Sequence, residues 1–473
     1  MFSPSTLRAG AAPLARLLAP LARASSTQEA FDPLKFYSEQ PWRPREYAPL
    51  AEDDYTRFIS KKALKREPAL TRQLTSLAYK VGKQVISLAE GMPNEDMFPF
   101  SRLHLQLKAG GELVLEGKEL ATALQYMPSQ GYPALVEELR TFQRDLHRPP
   151  LPYDVLVTNG AQHGIYQCVD MLVDPGDPVI LSEFSYTGAI SVLRPYSPEL
   201  ICIPEDDFGI VPETLEAELD NRLARGLKMP KIMYVVPTGS NPTGTVIPEK
   251  RKKQLYELAC RYDFLIIEDD PYMFLNYCEE VTPSFLSLDA CGRVLRLDSA
   301  SKALSAGLRL GWMTAPAPLA ARAELHAQAE LLHPSTLSQA ILLRVLSSRE
   351  ELAAHVLRVR SFYEARRDAL GEALQAVRGL AEWSAPRAGM FYWLRVHGVH
   401  DVYNMVLERA FERGLMLVPG QAFQLDARLP SQHLRLTFSK VPREHMADAA
   451  SLLRDVIRLE QRAQAPRRRA TER

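Results

Sequence analysis

The chain has 473 residues, with 57 Lys and Arg balancing 57 Asp and Glu, 46% hydrophobic and 24% charged residues. That is the composition of a folded protein, the length argues for more than one domain, and the zero net charge removes the electrostatic case for a nucleic-acid partner. No apolar run is long enough to span a bilayer. The five cysteines (Cys168, Cys202, Cys260, Cys278, Cys291) contain no Cys-x-x-Cys pair, which argues against a disulfide framework or a zinc knuckle and for a reducing compartment.

Residues 1–28 carry Arg8, Arg16 and Arg23 and no acid, with Leu14, Leu17, Leu18 and Leu21 at helical spacing between them. A basic amphipathic leader of this kind predicts import into the mitochondrial matrix, with cleavage near Arg23 to Thr27. The proline-rich stretch over 32–49 reads as an arm or linker, and Arg467, Arg468 and Arg469 read as a solvated tail.

From Asp154 onward, short Val- and Ile-rich runs alternate with helical patterns, which predicts an α/β fold with a mostly parallel sheet. Strands are expected over 155–157, 178–181, 232–236, 264–267, 294–297 and 310–314, apolar enough for both faces to be buried. A helix is expected over 248–262, with Pro248 in its first turn and Leu255, Leu258 and Ala259 on one face. Beyond about residue 340 the pattern turns to long helices, 338–376 and 401–413, among strand-like segments over 390–396, 415–418 and 434–439, a smaller α+β domain. The expected division is a presequence 1–28, an arm and part of the small domain 29–98, a large domain 99–340, a small domain 341–460 and a tail 461–473.

In open parallel sheets, ligands sit beyond the carboxyl ends of the strands. Residues 158–164 (TNGAQHG) form a small-residue turn that opens a helix, where backbone N–H groups can hold an anion. Residues 237–244 (PTGSNPTG), 268–272 (EDDPY) and 298–302 (DSASK), the last followed by Gly307-Leu308-Arg309, put polar clusters after three further strands. A lysine in apolar surroundings has a depressed pKa and a nucleophilic amine. A buried Asp can keep a pyridine nitrogen protonated, serines and an Arg at a helix start can hold a phosphate, and Asn and Tyr can hydrogen-bond a phenolate. Together these describe a site for pyridoxal 5'-phosphate. His397 and His400 lack the carboxylate or third ligand that a metal pair needs.

The stretch over 240–244, Asp269-x-x-Tyr272, Ser299-x-Ser301-Lys302 and Arg309 resemble, in order and spacing, the motifs of the fold-type I pyridoxal-phosphate aminotransferases of class I. The segments ISLAEGMPN (86–94), MFPF (97–100), LQYMPS (124–129), LHPST (332–336) and AGMF (388–391) are similar to those of the mitochondrial members that act on kynurenine and 2-aminoadipate. The resemblance runs from about Asp54 to about Arg458 and implies a seven-stranded-type sheet in the large domain.

On those matches, Lys302 would carry the cofactor on its amine and then move the substrate proton, Asp269 would pair with the ring nitrogen, and Tyr272 and Asn241 would hold the ring oxygen. Tyr186 would stack on the ring. Gln162, Ser299, Ser301, Arg309 and the backbone at Ala161 would hold the phosphate, with Tyr126 reaching it from the other subunit of a homodimer. Arg435 would grip the substrate α-carboxylate with help from Asn241, while Gly91 and Arg72 would line the substrate, Arg72 facing a distal carboxylate. Asp269 is preferred to Asp270 because adjacent strand residues face opposite ways. Two positions depart from the family pattern: Ala161 stands for a serine and Glu90 for a glycine. The implied activity is transfer of an amino group from L-2-aminoadipate or L-kynurenine to 2-oxoglutarate. The alternatives are β-elimination from sulfur-linked amino acids, and an inactive binding protein that retains the fold.

Overall fold

The computed structural model describes residues 44, 47–81, 88, 91–278 and 281–464. The expected presequence, Glu90 and the arginines at 467–469 lie outside the described residues. Among the described residues, no helix is long and apolar enough to cross a membrane.

A seven-stranded sheet forms the centre of the large domain. Its strands are β1 (Asp154–Thr158), β2 (Pro178–Ser182), β3 (Glu199–Ile203), β4 (Ile232–Val235), β5 (Leu265–Asp269), β6 (Val294–Ser299) and β7 (Gly311–Ala315), in the spatial order β1-β7-β6-β5-β4-β2-β3. All neighbours are parallel except β7, which runs antiparallel to β6 and β1. Every residue of β2, β4, β5, β6 and β7 is buried, which is why these segments read as continuous apolar runs. The six strands expected from sequence are present. Edge strand β3 was not expected, because ELICI alternates exposed and buried positions and follows a Pro-Tyr-Ser-Pro turn instead of an apolar run.

Helices cover both faces. Helix α1 (Ala161–Leu172) follows β1, and α2 (Glu249–Arg261) crosses from β4 to β5 and buries Leu255, Leu258 and Ala259. Pro248 is the N-cap of α2, extended at ψ 157°, and so stands just before the first turn expected to contain it. Helix α3 (Ala317–Glu330) packs against α1. Residues 50–66 are fastened to the large domain: the Leu50 N–H donates to the Cys291 carbonyl, the Tyr55 hydroxyl to the Gly292 carbonyl and the Ser60 N–H to the Met171 carbonyl.

The long helix expected over 338–376 is two helices, α4 (Thr336–Ser347) and α5 (Arg349–Ala373), broken at Ser348, whose φ and ψ of −96° and 74° leave the helical region. The helix expected over 401–413 holds π and 3₁₀ turns at Met405–Ala410 and Phe411–Arg413. The small domain's antiparallel sheet is β8 (Ala381–Trp383), β9 (Phe391–Val396), β10 (Val418–Pro419) and β11 (His433–Thr437), in the order β8-β9-β11-β10. One hydrophobic cluster, containing Ile267 and Leu297 of the large sheet and Leu394 and Leu434 of the small one, runs through both domains.

Candidate active site

The carboxyl ends of β1, β4, β5 and β6 lie along one sheet edge, and register aligns them: Gly311 pairs with Thr158 on one side and Ser299 on the other, while Leu297 pairs with Asp269. A Cβ on Gly311 would stand 3.0 Å from the Ala161 nitrogen, so the absence of a side chain there lets the start of α1 sit on the sheet edge. Gly160 caps α1 at φ +83°, a conformation that favours glycine, and a Cβ on it would strike the Arg309 guanidinium at 2.8 Å. The guanidinium of Arg309, itself left-handed at φ 51°, donates to the Asn159 carbonyl at 3.3 Å. This unites the turn after β1, the segment after β6 and the N-terminal end of α1, whose first N–H groups have no partner within the helix. Ser299 and Ser301 join it, the Ser301 N–H donating to Ser299 Oγ at 3.1 Å. Gln162 donates from Nε2 to the Gly188 carbonyl at 3.1 Å, and its buried Oε1 has no hydrogen-bond partner.

At the end of β5, Asp269 is 3% exposed and accepts a hydrogen bond from the Tyr234 hydroxyl at 2.7 Å, while its Oδ1 is unpartnered. Burial, with help from Asp270 and Asp298, pushes its carboxyl up to about 7 against the Tyr234 hydrogen bond. The neighbouring Asp270 faces the other side of the sheet, toward Thr238 and the buried Arg296. The opposed orientation expected for this pair is therefore present.

Lys302 lies with its Nζ 5.9 Å from the centre of the Tyr272 ring. Burial, followed by the charges of Arg309 and Arg435, lowers its amine below the usual lysine value. Tyr272 is buried and packs edge-on against Phe391 from the small domain, and burial raises its phenol. Burial and the charge of Asp269 likewise raise Tyr186.

The small domain contributes Arg435 from β11. Its Nη1 donates to Asn241 Oδ1 at 2.8 Å, its guanidinium lies 4.2 Å from the Phe391 ring centre and 5.0 Å from that of Phe423, and its buried Nε is unpartnered. The two domains approach closely at Gly239, where a Cβ would fall 2.5 Å from the backbone nitrogen of Gly389.

Three expected residues lie apart from these contacts. Arg72, on the helix Leu70–Val81, is 9% exposed and donates to Ser129 Oγ at 3.2 Å and to the Met127 carbonyl. Tyr126, in the same stretch, is 44% exposed and stands edge-on to His333. Gly91 is exposed, with no atom within 4 Å of the place its Cβ would occupy. Ala161 offers only its backbone at the helix start. Sequence reasoning missed Tyr234, the aromatic floor of Phe391 and Phe423 under Arg435, and His163. Tyr234 was signalled only by being the one polar side chain within an apolar strand.

Pyridoxal phosphate fits the donor set. A buried carboxylate oxygen without a partner suits a pyridinium N–H, a helix start beside Arg309 and Ser299 suits a phosphate, and a half-buried amine of lowered pKa suits an aldehyde.

The sequence family described as aminotransferase class I and II matches residues 83–453. The mitochondrial kynurenine/alpha-aminoadipate aminotransferase of Rattus norvegicus is 40% identical over 423 residues, covering 85% of this chain and 100% of the rat protein. Among solved structures, aminotransferase Aro8 from Candida albicans superposes with a TM-score of 0.78 at 26% identity, covering 86% of this chain and 98% of the other. The kynurenine aminotransferase of Pyrococcus horikoshii, in complex with PMP, kynurenine and KYA, superposes with a TM-score of 0.70 at 32% identity, with the same coverage of each chain.

Proposed function

The chain belongs to the class I and II aminotransferase family and is an aminotransferase; from that premise we propose that it uses pyridoxal 5'-phosphate to move the amino group of L-2-aminoadipate or L-kynurenine to 2-oxoglutarate, as a homodimer in the mitochondrial matrix. The observation that carries the reading is the convergence of Asp269, Lys302 and Arg435 at the domain junction, each with the environment its task needs. The names of the mammalian mitochondrial relatives and of the archaeal neighbour support the substrate class.

When bound, the cofactor supplies an electron sink that acidifies the substrate Cα–H. Asp269 would hold the cofactor's ring nitrogen through its free Oδ1 and keep it protonated, while Tyr234 fixes the carboxylate's other oxygen. Lys302, its amine lowered by burial below the usual lysine value, would take the Cα proton and then deliver it across the same face. Arg435 binds the α-carboxylate with its fork steadied by Asn241 and by two ring faces, which fixes the Cα–H bond relative to the lysine. The cycle balances: one amino acid leaves as its oxo acid, and 2-oxoglutarate leaves as glutamate. Arg72 is the candidate for the donor's distal carboxylate, and exposed Tyr126 for the contact to the partner's phosphate.

The test is the visible absorption of the purified protein. A band near that of a cofactor–lysine adduct should bleach with L-2-aminoadipate and return with 2-oxoglutarate, and Lys302→Ala should lack the cycle. An unchanged band with both aminoadipate and kynurenine would refute the substrate class, and pyruvate release from a cysteine conjugate without an oxo-acid acceptor would favour elimination.

A further inference from the structure

His163 stands one residue beyond Gln162 in α1, is 8% exposed, and has both ring nitrogens engaged. The Asn159 N–H points to Nδ1 at 3.1 Å, so Nδ1 must accept, and the proton of the neutral ring is on Nε2, 2.8 Å from Glu330 Oε2 at the end of α3. Asn159 is therefore held twice, through its N–H by His163 and through its carbonyl by Arg309 at 3.3 Å. Thr158 adds a third tie, its hydroxyl donating to the Gly160 carbonyl at 3.1 Å. These three bonds fix the turn that aims the first N–H groups of α1.

We propose that His163, oriented by Glu330, is a positioning residue for the anion-holding turn over 158–162 and sets the affinity for the phosphate of the cofactor. This rests on the placement of the phosphate argued above. The groups facing His163 are Glu330 and, beyond it, His326 of α3, whose Nδ1 is 3.2 Å from Glu330 Oε2 and whose Nε2 is 3.2 Å from Asp170 Oδ2. Asp170, on α1, also takes hydrogen bonds from Lys62, Arg66 and Tyr196. A second proton on His163 goes to Nδ1 and sets a donor against the Asn159 donor, so protonation costs the turn one of its ties. Burial opposes that proton, outweighing the Glu330 carboxylate, and holds the imidazole below its ordinary value. His163, His326 and Glu330 place three ligand atoms within 4.8 Å of one another, but a divalent ion on His163 Nε2 would drive its proton to the same Nδ1, and the Asn159 bond argues against it.

Two substitutions separate the two ends of the ring. In His163→Asn the side-chain oxygen takes the place of Nδ1 and keeps the Asn159 bond while losing Glu330. In His163→Gln the amide reaches Glu330 and leaves Asn159 without an acceptor. Apoprotein is titrated with pyridoxal 5'-phosphate and separately with inorganic phosphate, followed by intrinsic fluorescence, with circular dichroism melting on each variant. At pH 8, His163→Asn should bind within about threefold of the parent and His163→Gln about fivefold to tenfold more weakly, for both ligands. As pH falls from 8 through the acid range, the parent should lose affinity more steeply than His163→Asn, which shares the phosphate's own titration but not the ring's. Glu330→Gln should move that extra loss to lower pH, because it removes the carboxylate that favours the imidazolium. Equal affinities and parallel pH profiles across the variants would overturn the proposal, as would tight stoichiometric Zn²⁺ binding abolished by His163→Asn. Failure of the parent itself to bind pyridoxal phosphate would instead refute the cofactor reading.

Discussion

Tyr234 on β4 donates its hydroxyl hydrogen to Oδ2 of Asp269 on the adjacent strand β5 at 2.7 Å, and leaves Oδ1 of that buried carboxylate without a partner. A half-satisfied carboxylate of this kind is costly to ionise, and its pKa is raised to about 7. The unfolded carboxyl titrates near the ordinary value of about 4. Between about pH 4 and 7 the unfolded apoprotein has released this proton and the folded one has kept it, so rising pH lowers stability through that window. Asp269→Asn, which can still accept from Tyr234, should remove this fall and leave the apoprotein more stable than its parent at pH 8 by roughly 2–4 kcal/mol. Urea midpoints of apoprotein from pH 4 to 8 check it; parallel curves for the two proteins would refute the buried, protonated carboxyl.

Substitution at the same position should carry the opposite sign for catalysis. Without an anion at Oδ1, the ring nitrogen of the bound cofactor is no longer held protonated, and Asp269→Ala should lower kcat by several orders of magnitude. Because the phosphate contacts proposed at Arg309 and α1 would be untouched, retained cofactor should fall far less than turnover. Single-turnover rates and absorbance of retained cofactor separate the two effects.

At Arg435 the prediction concerns geometry more than charge. Lysine keeps the cation but cannot span Asn241 and a carboxylate with one planar group, nor lie flat between Phe391 and Phe423. Arg435→Lys should therefore reduce kcat/KM for α-amino acids by about 10- to 100-fold, in line with one lost charge-assisted hydrogen bond. The Asp269 titration should be unaffected. An unchanged kcat/KM would move the carboxylate site elsewhere.

Much of the sheet was legible because five of its strands are buried along their whole length, so apolar runs and strands coincide. Edge strand β3 was not, since its alternating exposure matches a surface segment as well as a strand. The antiparallel direction of β7 was also hidden, because a fully buried run carries no sign of its direction. In the site, Asp269 stood out because it ends an apolar strand in a polar cluster, and Lys302 and Arg309 because they come after β6 in another. Tyr234 did not, because a tyrosine inside IMYV contributes to the apolar run even while its hydroxyl serves Asp269. Ser348 gave no glycine or proline to mark the break between α4 and α5.

The contact between Gly239 and Gly389 ties the domain junction to the AGMF segment over 388–391, which sequence showed as a motif without a reason. Both glycines have positive φ, +66° and +79°, and a Cβ on Gly389 would lie 2.8 Å from the Gly239 carbonyl oxygen. Gly389→Ala should separate the two backbones and displace Phe391, and with it the ring against which Arg435 and Tyr272 both rest. A rise in KM for amino donor should accompany a loss of about 1–3 kcal/mol in stability. Substrate kinetics at saturating cofactor, with melting of the same preparation, would reveal either part missing.

Behind the site, Arg296 of β6 is wholly buried between Glu268 at 3.2 Å, Asp270 at 3.3 Å and Asp298 at 2.8 Å. Alternation puts this cluster on the sheet face opposite Asp269, where Gln143 and Thr314 complete it: Gln143 Nε2 donates to Asp298 at 2.7 Å and to the Thr314 hydroxyl at 2.8 Å. Removing the guanidinium leaves three buried carboxylates close to one another, with the buried Lys252 as the remaining nearby cation, a crowding that uptake of protons relieves. Arg296→Met should cost about 3–5 kcal/mol at pH 7.5 and recover part of that loss as pH falls toward 5.5, because protonation relieves the uncompensated charge. It should also raise the Asp269 pKa further, since Arg296 is among the charges that lower it. A urea series at the two pH values distinguishes this from simple loss of packing, which would cost the same at both.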